Sequence, residues 1–106
     1  MFIEKYVKPM YWNIICNNYE EFYLNSFDES NFKKVYEILK DKWFNYIEDI
    51  ILDYLELFEI EYKYVDMALD KIQEIIGDDY VSVIGKNMYL IDKVIDIAYK
   101  YSEEDL

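Results

Sequence analysis

Along almost the whole chain apolar residues recur at steps of three and four, the period of a helix that buries one face. Pro9 can occupy an opening helical turn, where its missing N–H is harmless. Trp12, Ile15, Tyr19, Phe22 and Tyr23 then carry the pattern on, predicting a helix from about residue 9 to 24. In SFDESN, Ser26 followed three positions later by Glu29 matches a capping box, with Asp28 and Ser30 as rival N-caps. From there Phe32, Tyr36, Leu39, Trp43, Ile47, Ile50, Tyr54 and Phe58 keep the helical period. Globular helices seldom run so far, so a break is expected near LKDKW, residues 39 to 43.

Farther on, Val65, Leu69, Ile72 and Ile76 form one stripe that stops at Gly77, a residue suited to a left-handed C-cap. DDYVSVIG has residues that would suit a strand, but a lone strand has no partner in this sequence, and a short helical turn or connector is expected. Asn87 is expected to cap a last helix with Leu90, Ile91, Val94, Ile95, Ala98 and Tyr101 facing inward, before SEEDL frays. With two glycines and one proline, little interrupts these helices. The expectation is an all-α, single-domain bundle of about four to five helices over residues 1–106.

Composition turns the question from chemistry to partners. The net charge is −12, with 23 acidic residues against 11 basic ones, all of them lysine. Such a body repels nucleic acid and anionic lipid and attracts basic proteins, so neither direct nucleic-acid binding nor a membrane association is expected. The start MFIEKYVKPM lacks the apolar run of a signal peptide, and no stretch of 18 apolar residues occurs, which predicts a cytoplasmic protein. Cys16 is the sole cysteine and histidine is absent, which removes familiar triads and zinc sites. Cys16 itself, within YWNIICNNY, reads as a buried small hydrophobe. No acidic run matches a calcium loop and no glycine-rich phosphate loop occurs, so no catalytic residue, metal or cofactor is expected.

The stretch EDIILDYLELFE, residues 48 to 59, carries five carboxylates, and no lysine lies between residues 43 and 62. On one continuous helix Glu48, Asp49, Asp53, Glu56 and Glu59 fall within about 140° of arc, opposite Ile47, Ile50, Ile51, Tyr54, Leu57 and Phe58. Leu52 lies inside the acidic arc, where an apolar residue ringed by charge reads as a contact centre. A solvated acidic face would look the same, but like charges four apart cost a helix a few tenths of a kcal/mol per pair. Tyr62 and Tyr64 follow, in a chain with 13 tyrosines, more than its core can hold. Some rings must therefore reach the surface, where tyrosine suits protein contacts.

In these features the chain resembles the small acidic helical immunity proteins of colicins and of contact-dependent growth inhibition systems. The likeness is one of composition and surface type. The residues that carry it are the acidic stretch 48–59 with Tyr62 and Tyr64, which here are separated by Lys63. The resemblance implies a non-catalytic cytoplasmic inhibitor that neutralises one cognate basic partner, a nuclease toxin domain, by direct binding. Two other readings are a phage-encoded nucleic-acid mimic that inhibits a restriction or CRISPR complex, and a subunit that assembles with itself. Lys33, Lys34, Lys40 and Lys42 make one helix locally basic, which favours a localised docking face over a phosphate-like surface.

Overall fold

The computed structural model describes residues 1–105, which form helices joined by short turns. A 3-10 helix (Phe2–Tyr6) precedes α1 (Pro9–Asn18), α2 (Glu21–Asn25), α3 (Glu29–Asp41) and α4 (Ile47–Asp53). A second 3-10 helix (Leu55–Glu59) leads into α5 (Tyr62–Ile76), α6 (Tyr80–Lys86) and α7 (Leu90–Glu104). The all-α class is as expected, but the seven α-helices among the described residues exceed the four to five anticipated, because several apolar stripes are cut into shorter pieces.

The expected helix 9–24 breaks at Tyr19, whose backbone is extended (φ −129°, ψ 145°). Asn17 and Asn18, weak helix formers that compete for backbone hydrogen bonds, precede the break. One consequence is that Phe22 points outward, 73% exposed, rather than into the core. Cys16 is likewise exposed rather than buried. At the start of α3 the rival cap prevails over the capping box: the Asp28 carboxylate accepts the Asn31 N–H at 2.8 Å.

The break near LKDKW occurs where expected, and its hydrogen bonds define a Schellman motif. Trp43 N–H donates to the Lys40 carbonyl and Phe44 N–H to the Leu39 carbonyl, both at 3.0 Å. The residue at the left-handed position is Trp43, with φ 73°, where glycine is the usual occupant. A Cβ there costs about 1–2 kcal/mol. The turn also throws Trp43 out of the inward stripe to 86% exposure. Lys42, beside it, reaches back to Asp66 (3.2 Å) and Asp70 (3.0 Å), one turn apart on α5.

Gly77 ends α5 at φ 116°, ψ −179°; the positive φ is as expected, but the extended ψ belongs to a region open essentially to glycine alone. DDYVSVIG is helical, as α6. Asn87 does not cap the last helix: its side-chain amide donates to the Val83 carbonyl at 3.0 Å and closes α6, and Tyr89 takes the N-cap position of α7. Instead of fraying, the tail stays helical to Glu104, and Asp105 accepts the Tyr64 hydroxyl and pairs with Lys63 at 3.4 Å. Leu106 lies outside the described residues.

The buried side chains form one cluster, with α5 packed chiefly on α7 and α3. Fully buried Phe32 is its aromatic hub, with ring centroids of Phe58 at 4.5 Å, Tyr6 at 5.0 Å, Phe2 at 5.4 Å and Phe27 at 6.1 Å. Next to it, Asn31 gives its amide to the carbonyls of Phe58 (3.3 Å) and Ile60 (2.8 Å) and accepts the Tyr62 N–H at 2.8 Å. One side chain thus holds the end of the second 3-10 helix and the first N–H of α5. Among the described residues no helix is long and apolar enough to cross a membrane. Replacing Asn31 by Ala should cost about 1–3 kcal/mol through the backbone groups it leaves unpaired, read as a lower denaturant midpoint with an unchanged slope. A midpoint within error of the original would show that water replaces this clamp.

Candidate functional site

The acidic stretch is not one helix. α4 ends at Asp53, and after Tyr54 (φ −136°, ψ 45°) the chain tightens into the 3-10 helix. The cause is burial: Leu55, Leu57 and Phe58 all go into the core, and on a continuous α-helix Leu55 would sit at the edge of the apolar face. In a 3-10 helix residues three apart lie in line, which puts Leu55 with Phe58 inward and Glu56 with Glu59 outward. The single acidic arc therefore becomes two acidic edges.

Each edge is held by tyrosine hydroxyls from other elements. Tyr11 of α1 donates to Asp49 at 2.8 Å, Tyr23 of α2 to Glu59 at 2.9 Å, and Tyr99 of α7 to Glu56 at 3.0 Å. Hydrogen bonds to an ionised acceptor are stronger than neutral ones, and each fixes a carboxylate that would otherwise rotate freely. Their mark is on the phenols. The bond to Asp49 raises Tyr11 above its ordinary value. Burial, then the bond to Glu59, raises Tyr23 strongly, and burial with the bond to Glu56 pushes Tyr99 up to about 12.

Among the expected contact residues, Glu48 and Asp49 are half-exposed and line a shallow cleft with Tyr11 and Lys8. Lys8 lies 3.7 Å from Glu48. Asp53, Glu56 and Glu59 are exposed. Glu59 and Tyr62 share a second cleft with Lys34, whose ammonium sits 4.6 Å above the Tyr62 ring.

Two expected contact residues take other places. Leu52 is half-buried and packs against the core, because the acidic arc that surrounded it on a longer helix does not exist. Tyr64 is 8% exposed, with its ring in the core and its hydroxyl on Asp105. Its i, i+4 companion on the inner face of α5 is Ala68, which places Tyr64 on the buried stripe. The residues that the sequence pattern did not assign to this surface are Tyr11, Tyr23 and Tyr99, of which Tyr23 was expected only on an inward stripe. They lie 38, 36 and 43 positions from their carboxylates, beyond any local pattern.

Comparison with family models, with curated proteins and with solved structures finds no match to this chain.

Two outcomes are expected from this geometry. Leu52→Ala should lower unfolding free energy by about 1–2 kcal/mol, since a half-buried leucine loses part of the usual core contribution; a neutral result would return Leu52 to the free surface. The raised Tyr99 phenol means that the unfolded chain loses this proton first, near 10, and the folded chain near 12, so its contribution to stability is full below 10 and is lost as pH rises through 12. Denaturation midpoints between those values should fall less steeply for Tyr99→Phe than for the unaltered chain.

Proposed function

We propose that this protein is a non-catalytic inhibitor that binds and neutralises a basic protein, the cognate immunity protein of a bacterial nuclease toxin. The observation that supports this reading best is the pair of acidic edges on α4 and the second 3-10 helix, with three of five carboxylates fixed by tyrosines from three other helices. A nuclease domain presents cations to hold phosphate, and a strongly acidic body meets it by steered association. Carboxylates already immobilised lose less side-chain freedom on binding, so the rate gained by steering is not offset by ordering.

Lys8 is the lysine that pairs with the stretch among the described residues, over a long exposed contact worth little in water. Lys42, by contrast, is engaged with α5, where Asp70 and Asp66 outweigh the opposing effect of burial and keep its ammonium above the ordinary range. The positive charge of this region is thereby turned toward the protein's own acids. The face from Glu48 to Glu59 remains the long lysine-free stretch.

The test is affinity capture at low and moderate salt, followed by a nuclease assay of the retained protein with stoichiometric addition of this chain. One basic nuclease, inhibited in proportion to complex formation, is expected. Replacing both Asp53 and Glu56 by Lys should slow its association about tenfold and flatten the salt dependence while the far-UV spectrum is unchanged. Recovery of a restriction or CRISPR complex, or an unchanged association rate, would overturn the assignment.

A further inference from the structure

The Schellman turn between α3 and α4 raises a question that the acidic edges do not answer. A left-handed C′ position is most stable with glycine, yet it carries Trp43, the bulkiest side chain available, which gains almost no burial in return. The indole helps line a cleft of about 780 Å³, whose walls also include Tyr46, Asp78, Asp79, Tyr80 and Lys42. One wall is rigid. The Tyr46 hydroxyl is committed to the Val81 carbonyl, and its ring lies so close to Gly85 that a Cβ there would come within 2.9 Å of Cε1. Burial of this phenol raises its pKa strongly, so the ring stays neutral.

We infer that this cleft is a second binding site, and that its occupant is an arginine side chain of a basic protein, stacked on the Trp43 indole and facing Asp78 and Asp79. A guanidinium is planar, weakly hydrated and cationic, and tryptophan is the best aromatic face for it. Charge favours this occupant. Of the two ammoniums on the wall, Lys42 is held by Asp66 and Asp70, which leaves Lys86 against two carboxylates, Asp79 and Asp78, the latter also accepting the Gln73 amide at 3.1 Å. The net charge of −12 draws in a cation and opposes a second copy of this chain. An exposed tryptophan in a strained turn also fits the anchors that dominate protein interfaces.

The probe is a short capped peptide of alternating glycine and arginine, titrated into the nitrogen-labelled full chain and followed by its backbone amide resonances and the two indole N–H resonances. The Trp43 signal should move and saturate while that of Trp12 stays in place, and the citrulline version of the peptide should bind several times more weakly. Trp43→Gly should melt no lower than the unaltered chain and bind the arginine peptide about threefold to thirtyfold more weakly. The inference is overturned if the Trp43 resonance does not move, if Trp43→Gly binds equally well, or if the citrulline peptide matches arginine. It is also overturned if the Trp43 resonance shifts with protein concentration alone, since the occupant would then be a second copy. Shifts confined to residues 48–59 would overturn this site and leave the acidic-edge reading standing.

Discussion

The contact of Phe32 with Phe58, two buried rings stacked 4.5 Å apart, is the constraint on which the surface depends. To bring Phe58 onto the hub together with Leu55 and Leu57, the chain must leave the α-helix after Asp53 and tighten its turn. That change of pitch aligns Glu56 with Glu59 and sets them on an edge of their own. Asn31, one residue before the hub, locks the result by serving three backbone groups between Phe58 and Tyr62. The outer face is thus shaped by what the inner face must bury.

The abundance of tyrosine and the excess of acid, which look like separate oddities of composition, meet in the structure. Among the described residues, the hydroxyls of Tyr11, Tyr23, Tyr64 and Tyr99 find carboxylates, and that of Tyr46 a carbonyl. A phenol can cap an apolar core with its ring and present its hydroxyl at the rim, where this protein has acids and few cations. Such pairs let an acidic surface be ordered without neutralising its charge. A lysine in the same place would have ordered the carboxylate and removed the field.

Polar capping shows how local chemistry and long-range packing compete. Asp28 caps α3 through a contact three residues long, and such a contact forms wherever the helix begins. Asn87 has the right chemistry to cap α7 but is drawn to the Val83 carbonyl, because the short α6 ends there and must satisfy its own last turn. Trp43 shows the reverse case, a residue of the wrong kind at a left-handed position, held there by the hydrogen bonds of Lys40 and Leu39.

What the sequence by itself determined is the class of the fold, the stripes of α3, α5 and α7, the break near residues 39–43, and the lysine-free acidic stretch. These rest on helical periodicity and composition, both local. The end of α4 and the inward turn of Leu52 and Tyr64 were decided only by tertiary structure. A stripe states that one face will be buried, but neither where a partner face stops nor how wide it is. Likewise, the carboxylates of the candidate surface were legible one by one, whereas their tyrosine clamps, some forty positions away, exist only once α1, α2 and α7 are packed around α4 and the 3-10 helix.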